Sequence, residues 1–421
     1  MCYRCPARIE VTVRRLSAPP GGARAYRSPS GGSMSVTVCM APANSIAYPN
    51  GGGHLWVYLQ WALSLRALGC RVIWLEGVDL DDRDTSAAAR RRRRGGDART
   101  CAAKLKARLT PFGLGDALAL FAMNGEALPD DLASRYLDLD AAASADLLLN
   151  LWHSQPAAVV NRFRRAALID TDPALSQVWV TTREIPLARH DIYFTIGETV
   201  GTPSARFPDC GLRWHYTAPP VFLPEWPEVR AGPARPYTTV THWWGGTFEF
   251  HGETFSNEKN VAFLEYAALP SRTPAKLELA VCLGEHYPEW QARLEPLGWK
   301  LREAWDVSAT PEQYRAYIQG SRGEFSCVKP YCIQFANAWI SDRTLCYLAS
   351  GKPAVVQHTG ASRFLPDAEG LFRFRSMDEA VQALAAVEAD YERHCRSARS
   401  LAEQYFDGRS VVARVLERAL E

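Results

Sequence analysis

The sequence predicts an α/β chain of two doubly wound domains facing across a cleft, and three observations lead there. At 421 residues the chain exceeds what one ordinary core organises, so two domains of roughly 150–200 residues each are expected. Strand-like and helix-like segments alternate, as they do in wound parallel sheets. That alternation restarts after six prolines, Pro219, Pro220, Pro224, Pro227, Pro233 and Pro236, which suggest a linker over 226–236. The domains are therefore placed at 34–225 and 237–421.

Residues 1–33, with Arg14, Arg15, Arg24 and Arg27 among Pro, Gly and Ser, do not resemble core. They form a disordered basic arm, or precede a natural start at Met34, and they lack the apolar stretch of a secretory signal. Ser35 to Ala41 is a buried strand, followed by the loop YPNGGGH and an amphipathic helix from Leu55 to Leu68. Gly69 ends that helix, and Arg71 to Leu75 is the second strand. Residues Asp79 to Asp97 are polar and carry the run Arg90 to Arg94. Without interleaved aromatics this is a surface loop rather than a nucleic-acid patch. Helical patterns follow over Ala98 to Leu120 and Leu132 to Ala142. Strands are expected at Asp146 to Leu151, Ala166 to Ile169 and Ile192 to Ile196.

In the second half, strands are expected at Tyr237 to Trp243, Lys276 to Cys282, Gly323 to Val328, Ala354 to Val356 and Leu371 to Phe374. Helices are expected at Glu258 to Ala268, Pro311 to Gln319 and from Asp378 onward. The segment Phe335 to Gly360 reads as a helix carrying Trp339, Leu345 and Leu348 on its apolar side, ended by Gly351 and Pro353, then a short buried strand.

Composition narrows the function classes. Hydrophobic content of 47% and charged content of 22% are globular values. A net charge of +2 gives no argument for nucleic acid or membrane, and no run of about 18 apolar residues is present to span one. Eleven cysteines, odd in number and mostly among apolar neighbours, read as reduced thiols of a cytoplasmic protein. Cys2 and Cys5 have C-x-x-C spacing without a second pair, and the histidines form no H-x-x-x-H set, so no metal is expected.

The residues that can do chemistry cluster at strand ends. Gly51, Gly52 and Gly53 open the first helix, where glycine lets a ligand approach the backbone and the helix start favours phosphate; a flexible turn is the other reading. No G-K-S or G-K-T follows and G-x-G-x-x-G is absent, so neither a Walker loop nor a nicotinamide site is favoured. His54 sits at that helix start, where the dipole would keep it neutral and able to accept a proton, or it is a capping or core histidine. Asp170 and Asp172 end another strand; one can orient a histidine or bind sugar hydroxyls, or Asp172 caps a helix.

In GEFSCVK, Glu324 and Lys329 share a strand and its end, and Lys329 can neutralise a diphosphate unless it is a surface charge. Ser341, Asp342 and Arg343 begin the helix of the Phe335 to Gly360 segment, and Arg343 with Lys329 would share one anion. Asp342 would accept from ribose or sugar hydroxyls, or pair with Arg343. Thr359 and Gly360 close the following strand at its carboxyl end, where ligands of open α/β sheets bind. His242 and Trp243 end the first strand of the second half, where the ring can stack a base or sugar, or pack in the core.

The pieces YPNGGGHLWVYLQWALSLRALGCRVIWLE, IDTDPALSQ, FTIGETVG, GEFSCVKPY, SDRTLCYLASGKPAVVQHTG and EGLFRF resemble the GT-B glycosyltransferases. More narrowly, the chain is similar to bacterial glycosyltransferase-like proteins related in their C-terminal part to the spore-maturation CgeB-like group. The resemblance implies two facing Rossmann-like domains, the acceptor mainly on the first and a nucleotide diphosphate sugar mainly on the second. It places Lys329, Ser341, Asp342, Arg343, Thr359 and Gly360 around the donor, with Gly51 to Gly53 facing it. It also implies metal-independent chemistry with no cofactor beyond the donor substrate. Retaining members often carry two glutamates eight apart, and here those positions are Ala338 and Cys346, so the stereochemical outcome does not carry over.

The expected activity is transfer of a sugar to a hydroxyl of a small molecule or glycan, with His54 the natural base if the reaction inverts and Asp170 the other catalytic candidate. Alternatives are a nucleotide-sugar epimerase of the same fold and a non-catalytic nucleotide-sugar-binding protein.

Overall fold

The computed structural model describes residues 35–80, 96–365 and 369–421. The basic segment 1–33, Cys2 and Cys5, and the run Arg90 to Arg94 lie outside the described residues.

Seven strands make the first sheet: β1 (Thr37–Ala41), β2 (Arg71–Val78), β3 (Leu118–Ala122), β4 (Leu147–Asn150), β5 (Ala166–Asp170), β6 (Ile192–Thr195) and β7 (Trp214–Tyr216). They lie in the order β3-β2-β1-β4-β5-β6-β7, and every pair is parallel. Both faces are covered, which is why β3, β4 and β5 are buried at every position and read as unbroken apolar runs. Helix α1 (Gly52–Ala67) follows β1 and helix α2 (Leu175–Thr181) follows β5.

Six further strands build the second sheet: β8 (Tyr237–His242), β11 (Leu277–Cys282), β12 (Lys300–Glu303), β13 (Gly323–Ser326), β14 (Ala354–Gln357) and β15 (Leu371–Phe374). Their order is β12-β11-β8-β13-β14-β15, again parallel throughout. A hairpin of β9 (Thr247–Phe250) and β10 (Glu253–Ser256) leaves the end of β8 and packs Phe248 and Phe255 beside Phe335. Helices α3 (Lys259–Glu265), α4 (Pro311–Gln319) and α5 (Asp342–Ala349) connect the strands. The last helix, α6 (Gly408–Leu420), returns to the first half and lies on α1. The strand order reverses beside β1 in one sheet and β8 in the other, the switch points where wound sheets open a crevice.

Helix α1 is not amphipathic as expected. Leu55, Trp56, Leu59, Trp61, Leu63 and Leu65 are all buried, because α4 and α6 cover the side that the sheet leaves open. Trp56 packs on Trp226 of the 226–236 segment and donates its indole N–H to the Pro311 carbonyl at 2.8 Å. That segment is thus tethered, and Val229 N–H also bonds to the Ser350 carbonyl.

Other expectations shift for identifiable reasons. The helix expected over Ala98 to Leu120 ends at Leu109, where Pro111 and Gly113 (φ 67°) turn the chain, and LALFA becomes β3. Leu132 to Ala142 yields two short helical turns, Asp130–Ala133 and Leu139–Ala143. The helix expected after Phe335 begins only at Asp342, since Ala336 and Ala338 adopt φ of 49° and 54°. Trp339 accordingly precedes α5 and is not part of its apolar side. Gly351, at φ 66°, ends α5 as anticipated.

Candidate active site

The carboxyl ends of β4, β5 and β6 face those of β8, β13 and β14, and several side chains bridge the two. Lys329, just after β13, places Nζ 3.2 and 3.1 Å from the two carboxylate oxygens of Asp172, just after β5. The Tyr331 hydroxyl donates to the same carboxylate. Nearby, Asn337 donates to the Pro173 carbonyl at 2.9 Å and Thr199 to the Ala336 carbonyl at 3.2 Å. Glu198, at the end of β6, accepts from the Ser362 hydroxyl and from Arg363 N–H.

Lys329 is therefore not a bare cation awaiting phosphate, because Asp172 already holds it. Burial raises the Asp172 pKa, but Lys329 and Tyr331 outweigh that, leaving the carboxyl below its ordinary value. Asp172 does not cap α2 either: Ala174 occupies the N-cap position, and Ser176 bonds to the Asp172 backbone carbonyl. His153, in the loop after β4, lies within electrostatic reach of both Asp170 and Asp172 and packs on Trp179. Burial lowers its pKa and the two carboxylates oppose that. An aspartate beside a histidine was expected here, although the histidine was not identified.

Asp170 is 2% exposed and accepts from Gln177 Nε2 at 2.9 Å and Thr195 Oγ1 at 2.8 Å. It braces α2 and β6, and burial raises its pKa.

The glycine loop meets protein rather than open cleft. A Cβ on Gly52 would lie 2.2 Å from the Thr310 carbonyl oxygen, and one on Gly53 2.6 Å from the Tyr314 ring. Gly51 is less confined, its nearest neighbour being the Tyr48 carbonyl oxygen at 3.2 Å. The glycines let the start of α1 press on α4 of the other half, correcting the expectation that Gly52 and Gly53 serve ligand approach. His54 follows, with Nε2–H donating to the Ala43 carbonyl at 3.2 Å and Tyr48 and Tyr58 flanking its ring. Burial first, then His242 from β8, lower its pKa to about 4, so the ring is neutral with Nδ1 as acceptor. His54 and His242 are thus near one another across the two halves.

On the second sheet, Arg343 Nε bonds to Glu324 Oε1 at 2.8 Å and Nη1 to the Val240 carbonyl at 3.1 Å. Their side chains are 7% and 0% exposed, so Glu324 supports Arg343 from inside the core and does not reach the cleft. Two predicted cations thus carry separate protein counter-ions rather than sharing one anion. Ser341 Oγ caps α5 by accepting from Arg343 N–H. Burial raises the Asp342 pKa while Arg343 and Lys259 pull it down.

Thr359 Oγ1 donates to the Trp339 carbonyl at 2.6 Å. Gly360, at φ 132°, leaves room for the Ala336 carbonyl. Both brace the turn before α5. Trp243 is 1% exposed and packs on Phe263 and Trp290, which corrects it as a stacking ring; the neighbouring Trp244 is the exposed one, at 42%.

One functional candidate was missed. Lys259 opens α3, and its ammonium has no hydrogen bond or ion pair with the described residues. Burial, then Arg343 and Lys329, lower its pKa to about 7, which places three cations in one electrostatic neighbourhood. Its signal was positional: it opens the helix after the first strand and hairpin of the second half, where the glycines stand in the first. Ala338 and Cys346, the two positions of the absent glutamate pair, are buried, and Gln60 of α1 donates to Cys346 Sγ at 3.6 Å.

Among the described residues no cluster of His, Cys, Asp and Glu could hold a metal ion, and no helix is long and apolar enough to cross a membrane.

No family model matches the chain, and no curated protein sequence matches it. Among solved structures, HepE of Anabaena in complex with UDP and glucose is 12% identical, with a TM-score of 0.51 over 91% of this chain and 99% of that one. The same protein with UDP-glucose gives 0.50 at the same identity and coverage. AviGT4, a glycosyltransferase of avilamycin A biosynthesis, gives 0.49 at 12% identity, over 91% of this chain and 97% of that one. With its seven- and six-stranded parallel sheets, the chain has the two-domain α/β fold of the GT-B glycosyltransferases.

Proposed function

We propose that the chain transfers a sugar from a nucleotide diphosphate sugar to a hydroxyl of a small-molecule or glycan acceptor. The observation that carries this reading is the group Lys259, Lys329 and Arg343 at the carboxyl edge of the second sheet, opposite Asp172 and His153 on the first. Breaking the bond between sugar and diphosphate places negative charge on phosphate oxygen, and preorganised cations stabilise it as it develops. Lys259 offers the charge least committed to the protein. Arg343, held by Glu324, is oriented from behind. In this reading the three cations supply the charge stabilisation that a divalent ion would otherwise give.

The ligands named with HepE make UDP-glucose the first donor to test and UDP the first nucleotide to test for binding. The narrower kinship with the CgeB-like group rests on SDRTLCYLASGKPAVVQHTG and belongs to the same reading. His54, neutral with Nδ1 free as acceptor, faces the donor edge near His242, but a pKa of about 4 makes it a weak base at neutral pH.

Incubation with a panel of nucleotide sugars, with and without candidate acceptors, tests the function. Release of nucleoside diphosphate that depends on acceptor supports transfer. An isomerised sugar formed without acceptor would refute it.

A further inference from the structure

We propose that Asp172 is the counter-ion an incoming diphosphate displaces from Lys329, and that the carboxylate so released receives the acceptor's proton. The proposal rests on the glycosyl-transfer reading above. Lys329 and Asp172 come from opposite sheets, and their side chains are 24% and 35% exposed, so a ligand in the cleft can reach both. Their pairing spans the cleft between the two halves. A diphosphate offers Lys329 more negative charge than one carboxylate does, and Lys259 and Arg343 favour the same exchange.

Asp172 does not cap α2, whose N-cap position is held by Ala174, and beyond Lys329 its carboxylate accepts the Tyr331 hydroxyl. The groups facing it are Lys329 and Tyr331 from the second sheet, and His153 and Asp170 from the first. Lys329 depresses its basicity at rest. Once the diphosphate neutralises that lysine, the carboxylate regains affinity for a proton as the donor arrives. In the step itself the bond from sugar C1 to phosphate oxygen breaks, with its electron pair leaving on the diphosphate. The acceptor oxygen forms the new bond to C1, and its proton passes to the Asp172 carboxylate. Donor binding and activation of the acceptor side thereby become one event.

Calorimetry with uridine, guanosine, adenosine and thymidine diphosphates on the full chain, alongside transfer rates, tests this. Asp172→Asn keeps an acceptor for Tyr331 and removes the charge. It is expected to bind the preferred diphosphate about three- to tenfold more tightly while turnover falls about a hundredfold or more. A merely structural role would weaken both. Lys329→Gln is the companion variant: diphosphate binding weakens, and the fall in rate on acidification begins at higher pH, because Asp172 has lost its cation.

Diphosphate binding in the wild type with no gain in Asp172→Asn, or turnover retained in that variant, overturns the proposal alone. A wild type that binds none of the diphosphates overturns the transfer reading and this proposal with it.

Discussion

Two ion pairs of similar chemistry each draw one member, Glu324 and Lys329, from the same strand and its end, and they differ in almost everything else. Arg343 and Glu324 belong to one half, on α5 and β13, and are 7% and 0% exposed, whereas Lys329 and Asp172 join the two halves and are 24% and 35% exposed. A buried pair cannot be exchanged for a ligand without leaving a charge stranded in a medium that solvates it poorly. A pair at the edge of a cleft can, because water or phosphate replaces either partner at small cost. In the proposed donor site Arg343 is thus the fixed element and Lys329 the exchangeable one.

The largest expected effect comes from breaking the buried pair. Glu324→Ala should destabilise the protein by about 3–5 kcal/mol by stranding Arg343, measured as the free energy of unfolding in denaturant. A loss below about 1 kcal/mol would show that the pair is solvated after all. Next, Gly52→Ala would drive a methyl group into the Thr310 carbonyl and should cost about 1–3 kcal/mol. Unchanged thermal unfolding there would mean that α1 and α4 are not held together at this point.

Lys329→Ala should leave stability within about 1 kcal/mol of wild type yet weaken nucleoside diphosphate binding about tenfold, read by calorimetry. Equal losses in stability and binding would erase the contrast between the pairs. The smallest effect is a pH dependence. With its pKa lowered to about 7, Lys259 is cationic below that pH and neutral above it. Diphosphate affinity should therefore decline as pH rises through about 7, and Lys259→Met should flatten that decline. The acid side carries a further sign. His54, at about 4 in the folded protein against 6.5 ordinarily, takes up protons more readily when unfolded, so its contribution to stability is lost as pH falls from about 6.5 to about 4. Titration of its ring protons that centres near 6.5 would contradict the burial.

Much of the fold was legible because parallel strands buried on both faces announce themselves as short apolar runs. β1, β4, β5, β8, β13 and β14 were all anticipated near their observed bounds. β3 was not, since LALFA is built from good helix formers and only its place beside β2 makes it a strand. The site was legible as a set of positions at strand ends. What those side chains do was less so: Glu324, Arg343 and Lys329 were visible as charges near one another, but which carboxylate holds which cation depends on residues 19 and 157 positions apart.

The sequence by itself determined the wound α/β halves, the charged and glycine residues at the strand ends, the glycine stop at Gly351 and the absence of a glutamate at Ala338 and Cys346. These follow from local rules of periodicity, backbone freedom and residue identity. Only the tertiary structure decided that Gly52 and Gly53 serve the contact between α1 and α4, that Trp243 is core, that Asp172 occupies Lys329 and that the Lys259 ammonium has no ion pair among the described residues. Burial and ionic partnership are properties of three-dimensional neighbourhoods, assembled here from strands of two sheets, and no window of sequence contains both partners.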